Sequence, residues 1–178
     1  MKDVKKLVLT ALFAALACVA TMIIRIPTPG TGGYIHPGDA IVILCGVYLG
    51  PVAGFLAAGM GSALSDLLGG YFLYVPITFA VKGLVALFTA IFYQKIATSK
   101  KSRRYAGVAA GGICDIILVA GGYFLCESFL YGVSGALASV IPNTIQGISG
   151  LVISIILYAA LSAVPEFRRL SMTHKKTA

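Results

Sequence analysis

Charge is scarce in this 178-residue sequence. Only 11% of residues are Asp, Glu, Lys or Arg and 58% are hydrophobic, against roughly 25% and 45–50% in ordinary soluble domains. Three runs, 7–24, 40–65 and 128–165, carry no charge at all. Uncharged apolar runs of about 18 residues or more read as membrane-spanning helices. A water-soluble enzyme, a disordered chain and a coiled coil are excluded. The fold class expected is an all-α integral membrane protein.

Catalytic motifs are missing as well. The two histidines, His36 and His174, form no H-E-x-x-H helix, and no G-x-x-x-x-G-K-[ST] phosphate loop exists. The chain therefore hydrolyses no ATP by itself, and an energised activity must borrow it from a partner. Cys18, Cys45, Cys114 and Cys126 are isolated within apolar runs, without a C-x-x-C pair, so they read as small packing residues. Gly132-Val133-Ser134 and Gly147-Ile148-Ser149 begin like a nucleophile elbow but lack its final glycine. Neither a cofactor nor a metal is expected. A convincing internal repeat is also absent, which gives no support to inverted-repeat transporter architecture.

Acids are outnumbered, 6 against 14 bases, for a net charge of +8. Twelve of the fourteen basic residues cluster: Lys2, Lys5 and Lys6; Lys95, Lys100, Lys101, Arg103 and Arg104; Arg168, Arg169, Lys175 and Lys176. Each cluster ends an apolar run, as the positive-inside rule expects of cytoplasmic segments. Nucleic-acid binding would instead interleave basic residues with exposed aromatics. Parity then counts the crossings, four before the 95–104 loop and two after it. The expected architecture is a single six-transmembrane-helix bundle over 1–178, both termini cytoplasmic. Its spans lie near 7–24, 36–50, 51–68, 76–94, 106–126 and 141–161, with a basic loop at 95–105 and a basic tail at 166–178. The second span is short for a lipid-facing helix. The Lys-rich start resembles a secretory signal, and Ala15-Leu16-Ala17-Cys18 weakly resembles a lipoprotein cleavage site. The apolar run continues to Ile24, so the first span is expected to be retained.

Proline and glycine punctuate these spans. Pro27 to Gly33 forms a loop, Gly50-Pro51 a tight turn with Pro51 opening a helix, and Gly69-Gly70 a helix end. Pro76 and Pro142 are read as opening the fourth and sixth spans. Ala11 and Ala15, with Ala14 and Cys18 beside them, make a small-residue stripe, and Ala57/Gly61 and Gly107/Gly111 keep small-xxx-small spacing. Such a stripe lets another helix approach, either within the bundle or from another subunit.

Six charges stand outside the clusters: Arg25, Asp39, Asp66, Lys82, Asp115 and Glu127. Each would cost about 2.5–3.5 kcal/mol at mid-bilayer, so each needs a partner or a ligand. The topology puts Arg25, Asp39, Asp66 and Glu127 toward the outer face. Lys82 and Asp115 lie deeper, about 7 Å apart in depth, which leaves open a structural ion pair or a ligand-facing Lys82. Tyr34, His36, Tyr71 and Tyr74 fall in the outer loops, and Asn143 and Gln146 share a helix face at the same end. This convergence suits capture of a small polar heteroaromatic ligand from outside.

At this point the sequence resembles the substrate-binding S components of energy-coupling factor (ECF) vitamin transporters. The resemblance runs over roughly residues 4–162. It rests on the small-residue first helix around Ala11 and Ala15, the loop Pro27 to Pro37, Gly38-Asp39, Gly50-Pro51-Val52-Ala53-Gly54 and Gly61 to Leu68. Pro76-Ile77-Thr78, Lys82-Gly83 and Pro142-Asn143-x-x-Gln146 complete it. The branch it looks like is the one for riboflavin, pyridoxine and hydroxymethylpyrimidine.

The resemblance implies a transport subunit without catalytic activity, in the cell membrane. It would bind a small vitamin or precursor and dock on a transmembrane coupling subunit that carries two ATPase subunits. Ala11 and Ala15 would touch the coupling subunit, Tyr34 to Asp39 would form a lid, and Lys82, Asn143 and Gln146 a ligand floor. Tyr34, His36, Asp39, Asp66, Tyr74, Lys82, Asp115, Glu127, Asn143 and Gln146 are the candidate substrate-binding residues. With no tryptophan, stacking falls to tyrosine or phenylalanine, which favours a single-ring ligand over a flavin. The rival readings are a small membrane enzyme acting on a lipid and a self-assembling channel or exporter. The first would want paired acids on one helix face, the second a continuous polar stripe; neither pattern is evident.

Overall fold

The computed structural model describes residues 2–28 and 33–173. Loop residues 29–32 and the tail residues His174, Lys175 and Lys176 lie outside them. The chain runs α1 (Lys2–Ile23), β1 (Ile26–Pro27), β2 (Tyr34–Ile35), α2 (Asp39–Leu49), α3 (Pro51–Gly69), α4 (Tyr74–Ile96), α5 (Lys101–Ser162) and α6 (Pro165–Thr173). Four helices, within α1, α3, α4 and α5, are long and apolar enough to cross a membrane; α2 is apolar but shorter.

The punctuation in the sequence sets most helix ends. Gly50 takes φ 79°, ψ −174° between α2 and α3, and Pro51 occupies the first turn of α3, where its missing N–H costs nothing. Gly70 closes α3 in the left-handed region, its N–H reaching the Asp66 and Leu67 carbonyls.

The C-terminal half departs from expectation. Where two spans separated by a loop were expected, two helices meet directly at Gly132 with no loop between them, and α5 covers both in 62 residues. It turns back at Gly132, whose φ 78°, ψ 162° is essentially a glycine-only conformation. The two arms, 101–131 and 133–162, pack against each other. A Cβ on Gly147 would sit 2.7 Å from the Ile116 Cα, and one on Gly112 would sit 2.9 Å from the Leu151 Cβ. Both pairs straddle residue 132 almost symmetrically, as in a helical hairpin. Pro142, expected to open a helix, lies inside the second arm. The residues before it, Ala-Leu-Ala-Ser at 136–139, suit a helix already under way. The basic tail likewise holds a helix, α6, whose Phe167 and Leu170 pack on the core.

At the centre stands α2. Its 11 residues span only about 16 Å, and all but Ile41 are buried. A helix wrapped by protein need not match the thickness of a hydrocarbon layer, which explains how so short an apolar helix is accommodated. Around it the helices approach closely through small residues. Gly61 of α3 lies so near α1 that an added Cβ would be 3.0 Å from both the Ala14 carbonyl carbon and the Ala17 Cβ.

The two ends of the bundle differ chemically. Tyr48, Tyr93, Tyr105, Tyr158 and Phe167 cluster at the end that carries the basic residues. There the Tyr93 and Tyr158 hydroxyls meet at 2.8 Å, and Phe167 stands edge-on to Tyr48 at 5.4 Å. The polar groups expected to form a site gather at the opposite end.

Candidate functional site: a polar cavity under a two-stranded strap

Between α1 and α2 the chain forms a strap of two antiparallel strands, with Ile26 opposite Ile35 and Pro27 opposite Tyr34. It covers a cavity lined by Thr28, Gly33, Tyr34, His36, Asp66, Tyr74, Thr78, Tyr123, Glu127, Asn143 and Gln146. The enclosed space is about 20 Å³, room for a single water.

Three tyrosines hold the walls. The Tyr34 hydroxyl donates to Asp66 Oδ1 at 2.6 Å, and the Tyr74 hydroxyl donates to Glu127 Oε1 at 2.8 Å. Glu127 also accepts from the Ser139 hydroxyl across the α5 hairpin. Tyr123 shares a 2.8 Å hydrogen bond with Thr78. Outside the strap, the Arg25 guanidinium lies 4.8 Å from the Tyr34 ring centre and 5.6 Å from that of Tyr71. It is anchored by a 2.8 Å bond to the Ser65 carbonyl. Burial, followed by the hydrogen bond to Asp66, raises the Tyr34 phenol above its usual range, which keeps it a donor.

The floor is a relay of four residues. Gln146 accepts from the His36 backbone N–H at 2.9 Å and donates to Asp39 Oδ2 at 2.8 Å. The other Asp39 oxygen takes the Lys82 ammonium at 2.5 Å, with both side chains fully buried. The His36 Nδ1 accepts from the Gly38 N–H at 3.0 Å, so that nitrogen is unprotonated. Burial pulls the imidazole down to about 3, with the Lys82 and Arg25 charges acting the same way and Asp39 opposing them.

Seven of the ten candidate substrate-binding residues thus share one cavity: Tyr34, His36, Asp66, Tyr74, Glu127, Asn143 and Gln146. Asp39, Lys82 and Asp115 do not line it. The first two form the ion pair below it. Asp115 lies beside Asp39, both flanking Gly150, and neither of its carboxylate oxygens finds a hydrogen-bond partner among the described residues. Of the two arrangements left open for Lys82, the structure contains an ion pair, and the partner is Asp39. Sequence reasoning missed Thr28, Gly33, Thr78 and Tyr123 as lining residues. Thr78 stood in a quoted motif, whereas Tyr123 had no local signal, because its polar partner is 45 residues away.

Ala11 and Ala15 are elsewhere. They are exposed on α1 and border an apolar groove with Met60, Leu64, Val75 and Phe79. Ala11 and Ala15 are therefore left free by the packing inside the bundle, whereas Ala14 and Cys18 beside them are drawn into it. No group of three or more His, Cys, Asp or Glu suited to a metal occurs among the described residues.

Comparison with known proteins agrees with this architecture. The family model for the S component of ECF-type riboflavin transporters matches residues 1–163. An uncharacterised protein of Pyrococcus woesei is 35% identical over 135 residues, covering 76% of this chain and 86% of its own. The thiamine precursor transporter HmpT of Lactococcus lactis subsp. cremoris is 26% identical over 157 residues, covering 88% and 87%. Among solved structures, the S component of a bacterial ECF transporter superposes with TM-score 0.64 at 23% identity, covering 90% of this chain and 97% of that one. The S component for biotin from an ECF-type transporter gives 0.51 at 18%, covering 89% and 93%. At these identities the structures speak for the fold.

Proposed function

The chain belongs to the ECF-type riboflavin transporter S-component family, and from that membership we propose that its cargo is a single-ring heteroaromatic vitamin or precursor carrying amino or hydroxyl donors. S components are integral membrane subunits that bind a small vitamin and dock on an ECF module; they are transport proteins rather than enzymes.

The observation that carries the cargo assignment is the sign of the cavity wall. Two carboxylates, Asp66 and Glu127, and no Lys or Arg line it among the described residues. Buried carboxylates reward ligand N–H and O–H groups and repel a ligand carboxylate. Asn143 makes no side-chain hydrogen bond among the described residues and lines the same wall, offering both donor and acceptor. The tyrosine rings supply flat apolar surface for one ring. A thiamine precursor transporter among the relatives supports the same class.

The basic end of the bundle faces the cytoplasm under the positive-inside rule, so the cavity faces outward and both termini lie inside. The arms of α5 then supply the fifth and sixth crossings. Space for one water does not admit a vitamin, so the strap lifts to load cargo and closes over it. Ala11 and Ala15 form the docking face for the coupling subunit, whose two ATPase subunits supply the energy this chain lacks.

Calorimetric titration of the purified protein with hydroxymethylpyrimidine, pyridoxine, riboflavin and biotin tests the cargo class. Expected is binding of one of the single-ring compounds at least about tenfold tighter than riboflavin, a difference of about 1.4 kcal/mol, and no binding of the carboxylate biotin. Tighter binding of riboflavin, the vitamin that names the family model, overturns the assignment.

A further inference from the structure

A second pocket, of about 270 Å³, opens at the end of the bundle opposite the cavity and is lined by Lys101, Arg104, Tyr105, Tyr158, Ser162 and Arg168 among others. We propose that it binds the phosphate of an anionic glycerophospholipid headgroup. The proposal is independent of the cargo assignment.

The pocket is cationic without compensation. Three of its lining residues are basic and none is acidic among those described. The one ion pair among the described residues, Lys82 with Asp39, lies at the other end. Arg104 is only half-exposed, and its Nε is buried with no hydrogen-bond partner among the described residues. A buried N–H donor without an acceptor is costly, and guanidinium is the side chain best matched to paired phosphate oxygens.

Position selects a lipid over a soluble anion. Lys101 and Arg104 begin the first arm of α5, Ser162 ends the second, and Arg168 reaches in from α6. Helix ends carrying basic residues sit at headgroup level. The Tyr105 and Tyr158 rings meet edge-on at 5.3 Å and give the pocket an apolar shelf. From Ala159 on its rim, exposed Ile156 and Val152 continue along one helix face, a track on which an acyl chain can lie.

Native mass spectrometry tests this after the intact protein is equilibrated in micelles with equal phosphatidylglycerol and phosphatidylcholine. Expected is at least about fivefold greater retention of phosphatidylglycerol, undiminished by millimolar inorganic phosphate. Arg168→Gln, at an exposed position that does not disturb the core, reduces the preference, and Arg104→Gln with Arg168→Gln removes it. Lys95→Gln, exposed and in the same basic cluster, leaves it intact. Equal retention of the two lipids, or a preference that survives the double variant, overturns the proposal. Displacement of the lipid by inorganic phosphate also overturns it, by assigning the pocket to a soluble anion.

Discussion

Gln146 donates to the Asp39 carboxylate at 2.8 Å while its own carbonyl accepts from the His36 backbone N–H. One amide thus ties the strap over the cavity to the buried ion pair beneath it. A displacement of the strap at His36 must therefore either break this amide contact or carry it along.

The ion pair should show strong non-additivity. Removing one partner strands a buried charge and costs about 3–5 kcal/mol, whereas replacing both with neutral groups is often tolerated. Asp39→Asn or Lys82→Met alone should therefore lower thermal stability sharply, and the double variant should recover most of the loss. A thiol-reactive dye reports this melt once the partly exposed Cys114 and Cys126 are replaced by serine, because the remaining Cys18 and Cys45 are buried in the folded chain.

The strap should loosen in acid. The His36 pKa is depressed to about 3 from 6.5, so its stabilisation is complete above about pH 6.5 and is lost as pH falls toward 3. At about pH 5 the penalty is about 2 kcal/mol, taking 1.36 kcal/mol per pH unit. Hydrogen-exchange protection factors of residues 33–38, taken relative to the intrinsic exchange rate at each pH, should fall over this window, and His36→Gln should remove the dependence. Protection factors that do not change with pH would show that the imidazole is not buried in the closed strap.

Tyr34→Phe removes the hydroxyl that holds the strap to Asp66. Cargo affinity should fall about tenfold, equivalent to about 1.4 kcal/mol, with most of the change in the dissociation rate. Stopped-flow release measurements separate that outcome from a slower association.

Ala11→Trp fills the exposed groove on α1 while touching nothing in the cavity. Purified variant protein should bind cargo normally, and cells carrying it should lose uptake. Normal uptake would remove Ala11 from the docking face.

Gly132→Ala places a Cβ where φ is 78° and ψ is 162°. The strain costs about 1–3 kcal/mol and should appear as a lower melting temperature, with helix content by circular dichroism preserved because the arms themselves are unaltered.

Charge-free runs and Gly-Pro punctuation made the helices, and most of their ends, readable in advance. The clustering of Tyr34, His36, Asp66, Tyr74, Glu127, Asn143 and Gln146 was readable too, since each carries a polar group that an apolar chain must shelter. The bend at Gly132 was hidden because Pro142 gave the stronger local signal for a helix start, while a glycine-only dihedral leaves no mark among 21 glycines. The depth of Asp39 was hidden for another reason. It depends on α2 being wrapped on all sides, a property of the neighbours and not of its own residues.

Where Ala14 meets Gly61, no side-chain layer separates the two backbones. Such a seam leaves α1 and α3 little room to slide toward one another at this level. A push on the outer face of α1 would meet α3 first at this seam, and Asp66, on the same helix, holds the Tyr34 hydroxyl.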